Sequence, residues 1–273
     1  MSVREKLTAI ADAIRSARGA ASTEKYSIDE MPEKISEAVD SAFDGGWFDG
    51  HRQGINEGID AGKKSQYDEF WDNFQENGNR TNYTDAFRAG GWNSKTLKPK
   101  YDMQPTTADG MFYFLGWHEG DSYGSFDLKA HLESIGTKLD FSQSTSMNYC
   151  FQNSKITRLG VIDVSNAGTL TGTFMNMYWG SSIEKIIVSE NNTFSYLFNH
   201  CYASHIVFEG TIANSLSIPQ ADLDNESLES IIDCLKNIKE TGTTLTLTLS
   251  ASSKSKLTDA QKGVITQKGW TLA

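Results

Sequence analysis

Three consecutive segments decide the predicted fold: MNYCFQNSKITRLGVIDVS (147–165), LTGTFMNMYWGSSIEKIIVS (170–189) and FSYLFNHCYASHIVFEG (194–210). When they are aligned, Phe151, Phe174 and Phe198 occupy equivalent positions, 23 and 24 residues apart. A period of this length is typical of leucine-rich-repeat solenoids, in which each unit covers the apolar face of its neighbour. The segments therefore predict a short stack of repeats.

Each repeat continues in the same way, with a polar or small turn and then an alternating apolar run. An alternating run predicts a strand that buries one face and leaves the other to solvent. A less regular unit, MFYFLGW (111–117) resumed by HLESIGTKLDFS (131–142), indicates that the repeats span 111–220. The residues predicted to be buried in the strands are Ile156, Leu159, Val161, Ile183, Ile186, Val188, Ile206 and Phe208.

The last segment, 221–273, has the pattern of a capping unit for the stack. An apolar stripe from Leu228 to Ile238 predicts a helix that begins at Asp224 or Asn225, and TTLTLTLS predicts a strand. A second, shorter helix is expected from the capping box of Thr258 and Gln261, with Gly269 as its C-cap before a final strand.

Upstream of the repeats, the run GWFDGHRQGINEGIDAGKK (46–64) has a glycine at every fourth position. We predict that it belongs to a long Gly-rich oligomerisation helix over 29–78, although a flexible Gly linker is the alternative. Interior glycines cost about 1 kcal/mol each relative to Ala, so a helix here requires compensating close approach between chains. The predicted oligomer interface consists of Gly46, Gly50, Gly54, Gly58, Gly62, Trp47, Ile55 and Ile59.

Two further segments complete the domain organisation. The apolar seam of Val3, Leu7, Ile10 and Ile14 predicts a helical attachment segment over 1–28. Residues 79–110 are polar and rich in turn-forming residues, so we expect a connector that packs on the repeats. The predicted fold class is α+β: an N-terminal helical, coiled-coil-like, Gly-rich stalk, a short leucine-rich-repeat β-solenoid-like domain, and an α/β C-terminal cap.

Composition limits the classes of partner. The chain has 35 acidic and 25 basic residues, and its net charge of -10 disfavours nucleic acid or an anionic membrane. No window approaches the roughly 18 apolar residues of a membrane span. The three cysteines lack the spacing of a zinc ribbon or a disulfide framework, which favours synthesis in a reducing cytoplasm.

The sequence contains no motif that predicts catalysis. It lacks GxSxG, HExxH, P-loop and GxGxxG patterns, so we assign no catalytic residue, cofactor or metal. His200, Cys201 and His205 are candidate metal ligands by type, but packing within the repeats is the preferred interpretation because structural zinc requires four defined ligands. Acidic pairs such as Asp68 and Asp72 are typical of a solvated helix face.

Aromatic residues are concentrated in the turns of the repeats, as at Tyr149. Amphipathic rings on a rigid support are good contact residues for proteins and sugars, whereas the alternative is that each ring fills a gap between turns. The candidate receptor-binding residues are Trp117, Tyr123, Tyr178, Trp179, Tyr196 and Tyr202.

The order of these motifs resembles a family of proteins. LTAIADAIR followed by STEKYSIDEMPEKI, the four-spaced glycines before GKKSQYDEFWDNFQENGNRTNY, the repeats, and the closing LTDAQKGVITQKGWTLA are similar to tail-fibre or receptor-binding proteins of phages and prophages of Gram-positive bacteria that carry BspA-type leucine-rich repeats. The resemblance covers nearly the whole chain. It implies a structural or receptor-binding role at a tail tip, and no catalytic residues.

The resemblance and the residues together favour a non-enzymatic protein that is assembled in the cytoplasm into a virion tail. The expected partners are further copies of the chain, with a homotrimer favoured over a dimer, other tail proteins through the N-terminal region, and a host surface protein or glycan. A BspA-like adhesin on the bacterial cell surface is the first alternative. A cell-wall hydrolase is the second.

Replacement of both Gly54 and Gly58 by Leu is expected to disrupt assembly and to leave residues 110–273 folded, because the larger side chains would separate the packed helices. Light scattering of the full chain measures the result as a fall in molecular mass. An unchanged mass would eliminate the predicted interface.

Overall fold

The computed structural model describes residues 70–88, 92, 97–115 and 125–273. By its internal contacts the chain divides between Lys63 and Lys64, so every described residue belongs to the second unit. The predicted attachment segment and most of the predicted oligomerisation helix lie outside the described residues. So does the whole predicted oligomer interface: Gly46, Gly50, Gly54, Gly58, Gly62, Trp47, Ile55 and Ile59.

Parallel strands form the centre of this unit. Along the chain they are β1 (Phe126–Asp127), β2 (Ile156–Asp163), β3 (Thr169–Thr171), β4 (Ser182–Val188), β5 (Thr193–Ser195) and β6 (His205–Gly210). One sheet has the order β1-β2-β4-β6, and β3 pairs with β5 in a second sheet. Leu159 aligns with Ile183 and Ile183 with Ile206, so equivalent apolar residues of successive repeats lie side by side.

The turns are stacked in register as well as the strands. The amide of Phe151 donates to the carbonyl of Thr173 at 2.9 Å, and the amide of Phe174 donates to that of Leu197 at 3.0 Å. We call each repeating unit a coil and number the coils by their inward Phe. Coils 1 to 5 contain Phe87, Phe112, Phe151, Phe174 and Phe198, all fully buried.

The five inward Phe rings form one continuous column. Successive ring centroids are 5.3, 5.4, 5.6 and 5.3 Å apart, and the planes are inclined by 22°, 7°, 3° and 10°. Each ring is therefore covered by the ring of the next coil. Offset stacking of this kind adds about 0.5 to 1.5 kcal/mol per pair beyond the burial of apolar area.

The stack begins earlier than the sequence indicated. Residues 79–110, expected to be a connector, include coil 1: the amide of Phe87 donates to the carbonyl of Met111 at 2.8 Å, as in the later coils. Asn82, Thr107 and Ser146 are joined by parallel bridges at the equivalent position of coils 1 to 3. The segment therefore forms repeats itself.

The predicted alternation in β2 is wrong at Val161, which is 44% exposed. Burial follows Ile156, Leu159 and Ile162 at intervals of three residues, so the strand departs from a flat two-residue pleat. Ile162 aligns with Ile186 of β4 and takes the buried position that Val161 was expected to hold. The other strand residues predicted to be inside are buried.

The buried side-chain amide of Asn192 links the turns that follow β2 and β4. Asn192 donates from Nδ2 to the carbonyl of Val164 at 2.9 Å and also to that of Ala167, while its Oδ1 accepts from the amide of Ser189 at 2.7 Å. The carbonyl of Asn192 in turn accepts from the side chain of Asn214 at 2.8 Å. These bonds satisfy main-chain groups that would otherwise be buried without partners.

Aromatic side chains close the N-terminal end of the stack. Residues 70–74 are helical, and Trp71 of this helix lies against Phe87 and Trp92, with ring centroids 6.4 and 5.9 Å away. A 3-10 helix, Glu76–Gly78, follows. Trp92 is buried, and the Tyr101 hydroxyl donates to Asp72 at 2.5 Å.

Helices occupy the insertion between coils 2 and 3 and the end of the sheet. The first is α1 (Leu128–Ile135), whose N-cap Asp127 accepts from the amide of Ala130 at 2.9 Å. The second is α2 (Asn225–Cys234), which begins after the N-cap Asp224, as the sequence predicted. Helix α2 packs along β6, the last strand of the four-stranded sheet.

The remaining elements form a small parallel sheet with two helices. They are β7 (Leu216–Ile218), β8 (Leu245–Leu249), α3 (Ala251–Lys256), α4 (Asp259–Gln267) and β9 (Trp270–Leu272), and the sheet order is β7-β8-β9. The predicted capping box is confirmed, because Thr258 and Gln261 each bond the other's main chain. Lys268 is the C-cap of α4, and Gly269 follows it with φ of 88°.

Replacement of Phe174 by Ala is expected to lower the free energy of unfolding by about 3 to 5 kcal/mol, because it opens a cavity between two covered rings. Urea denaturation followed by circular dichroism measures this change. The matched control, Val161→Ala, removes an exposed apolar side chain and should change stability by less than about 0.5 kcal/mol. Equal effects of the two substitutions would contradict the assigned importance of the Phe column.

Candidate binding surface

The strand face of the stack carries charged side chains, several of them in ion pairs. On the described strands and the adjoining α1, Arg158 contacts Asp127 at 2.6 Å and Lys185 contacts Glu209 at 2.5 Å. Pairs of this exposure contribute little to stability. They give this face a polar, solvated surface.

The turn edge, which we define as residues 148–155, 172–181 and 196–204 of coils 3 to 5, has a different composition. It contains no Asp or Glu, and its only basic residues are Lys155 and His200. Tyr, Trp and Asn side chains provide most of its exposed surface. The acidic side chains of these coils therefore lie outside the turn edge.

The described receptor-binding candidates all lie on this turn edge. Trp179 is 72% exposed, Tyr196 is 71% exposed and Tyr178 is 43% exposed, whereas Tyr202 is half-buried. Their grouping on one edge is informative, because an exposed apolar patch marks an interaction site whereas scattered single residues do not. Trp117 and Tyr123, the other two candidates, lie outside the described residues.

The structure brings Trp179 and Tyr202 together. Their rings are parallel within 7°, and the centroids are 4.7 Å apart. The two residues are 23 residues apart and occupy successive coils, where the amide of Gly180 donates to the carbonyl of Tyr202 at 3.1 Å. Tyr202 therefore covers one face of the indole and fixes its orientation, although most of the Trp179 surface remains in solvent.

Two other tyrosines of the turn edge have a left-handed backbone. Tyr149 and Tyr196 have φ of 57° and 53°, and Gly110 and Gly172 occupy the equivalent position in coils 2 and 4. A bulky residue in this conformation costs about 1 kcal/mol or more, and such residues are concentrated at functional sites. Tyr149 is also 43% exposed, so a large part of this strained residue lies in solvent.

Glycine at position 172 is required by close approach. A Cβ atom there would lie 2.8 Å from the ring of Tyr149, which extends across the turn of the next coil. The aligned repeats contain the signal for this arrangement, since Gly110, Tyr149, Gly172 and Tyr196 all lie two residues before the inward Phe. Sequence reasoning found the tyrosines but not their backbone conformation.

The turn edge also carries Asn side chains. Asn153 and Asn176 lie two residues after the inward Phe of coils 3 and 4, again with positive φ, and Nδ2 of Asn176 donates to Oδ1 of Asn153 at 2.7 Å. Asn tolerates this conformation better than other non-glycine residues. These amides were not identified from the sequence, and they add donors and acceptors beside the aromatic groups.

The sequence candidates for metal binding are separated by the fold. Cys201 is fully buried, and desolvation raises its pKa to about 12. His205 instead bonds through Nδ1 to Asp224 at 2.7 Å. No group of three or more His, Cys, Asp or Glu side chains in the described part of the chain could hold a metal ion.

Comparison of the chain with protein-family models, curated proteins and solved structures gives no match. Across the described ranges, every helix is too short or too polar to cross a bilayer.

Burial should also make the thiols of the stack unreactive. In a Cys234→Ser variant, the remaining Cys150 and Cys201 are both fully buried, and desolvation raises the pKa of each. Because the thiolate is the nucleophile, we expect no modification by Ellman's reagent at about pH 8 until guanidinium is added. Rapid release of the chromophore from the native variant would contradict the described packing of coils 3 and 5.

Proposed function

We propose that this chain is a non-enzymatic structural and receptor-binding protein of a phage or prophage tail, a tail fibre or tail-tip component. In this proposal the stack of coils is a short BspA-type leucine-rich-repeat domain that contacts the bacterial host surface. The observation that carries the proposal is the parallel pair of Trp179 and Tyr202, with Trp179 exposed, on a rigid turn edge that has no acidic residue.

Rigidity is what makes this edge suited to binding. Ordering a flexible side chain at an interface costs about 0.5 to 1.5 kcal/mol, and Trp179 is already oriented by Tyr202 before any ligand arrives. The main-chain ladder between the coils holds the turns themselves. An aromatic group presented in this way offers large contact area at low entropic cost.

Oligomerisation through the Gly-rich segment is part of the same proposal. A homotrimer would present three turn edges to one cell, and linked weak sites can raise the overall affinity by about 10² to 10⁴ without any new contact. The N-terminal region would attach this assembly to other tail proteins, so that each copy needs only a modest intrinsic affinity.

Asp72 belongs to one of the acidic pairs noted in the sequence, and its contacts favour a structural role. Asp72 bonds to Lys100 at 2.7 Å and to the Tyr101 hydroxyl at 2.5 Å, and the hydrogen bonds from Lys100 and Tyr101 lower its pKa. A glycosidase acid needs a raised pKa instead. Asp72 therefore lacks the property expected of a glycosidase acid.

The proposal is tested with particles induced from the bacterium that carries the gene. Antibody against the full chain should label one end of the tail in electron micrographs, and excess free chain should reduce adsorption of the particles to host cells. Labelling of the envelope of uninduced cells would replace the proposal with a surface adhesin. Release of sugars or peptides from purified walls would replace it with a hydrolase.

A further inference from the structure

We propose that the open face of the Trp179 indole binds one sugar ring of an uncharged glycan. This inference rests on the proposed binding function and names the chemistry of its ligand. It depends on three features of the turn edge: a flat ring with one free face, adjacent amide groups, and the absence of acidic residues.

One face of the Trp179 indole is available to a ligand. Tyr202 covers one side of the indole at a centroid distance of 4.7 Å, yet 72% of the Trp179 surface remains exposed, so the opposite side faces solvent. A planar ligand can approach this side without moving the protein.

The chemistry of that side matches a pyranose. The face of an aromatic ring carries partial negative charge, which attracts the polarised C–H groups on the apolar face of a sugar. Hydroxyl groups at the sugar's edge need donors and acceptors, and Asn176, three residues before Trp179, is exposed in the same turn. His200, exposed in the next coil, adds another polar side chain.

The charge distribution selects an uncharged glycan over other ligands. An anionic polymer is usually bound by clustered Arg and Lys, and a protein partner is usually oriented by complementary charges. The turn edge has no Arg, Asp or Glu, although 60 of the chain's 273 residues are charged (35 acidic plus 25 basic). Lys155 is its one Lys, and ion pairs such as that of Lys185 with Glu209 lie elsewhere in the stack.

The first experiment uses the full chain on immobilised neutral oligosaccharides, namely cello-, chito-, malto- and galacto-oligosaccharides, beside anionic dextran sulfate and polygalacturonate. We expect retention on at least one neutral ligand and none on the anionic ones. Trp179→Ala should weaken the retained interaction by about tenfold or more, because the stacking surface is lost. Trp179→Phe, which keeps a flat ring, should lose less, and the control Val161→Ala should bind as the wild type does.

Retention on anionic ligands only, no retention on any neutral ligand, or equal binding by Trp179→Ala would overturn the inference. A second arm separates this failure from failure of the proposed function. Host cells are treated with periodate, which oxidises sugars, or with protease before the chain is added. Loss of binding after periodate alone supports the glycan, whereas loss after protease alone keeps the receptor-binding function and replaces the glycan with a protein.

Discussion

Stacking of one inward Phe upon the next is the interaction on which the described structure depends. Each coil is too small to bury its own apolar residues, so every ring must be covered by its neighbour. The ring separations of 5.3 to 5.6 Å follow from the spacing of the main-chain ladder, to which the inward Phe of each of coils 1 to 4 contributes an amide donor. Backbone and side chains therefore impose the same repeat distance, and their agreement makes the stack rigid.

The two ends of the stack are covered by different kinds of side chain. At the start, the ring of Phe87 has no preceding coil, and Trp71 and Trp92 cover it. At the end of the four-stranded sheet, the hydroxyls of Ser227 and Ser230 on α2 accept from the amides of β6 at 2.8 and 3.0 Å. Serine side chains thus take the place of another strand. Paired or covered edges also prevent unwanted strand addition.

The sequence predicted the parts of the fold that are encoded locally. The inward Phe of coils 3 to 5, the capping box at Thr258 and the start of α2 were all readable from spacing. Coil 1 was missed because Phe87 lies among polar residues, and its role depends on main-chain bonds to a segment about 25 residues away. Val161 was misplaced because two-residue alternation assumes a flat strand. The Trp179–Tyr202 pair was recoverable in principle, since 23 residues is the repeat period itself.

The left-handed tyrosines connect the fold to the proposed function. In an isolated turn, local rotation of the backbone would relax the strain at Tyr149 or Tyr196. Here the main-chain ladder bonds each turn to its neighbours and prevents that rotation. The amide of Tyr149 itself donates to the carbonyl of Thr171 at 2.8 Å. Glycine at the same position of coils 2 and 4 shows that the strain is avoidable within this architecture. Exposed aromatic rings in a backbone conformation of this cost support the proposed contact with a ligand.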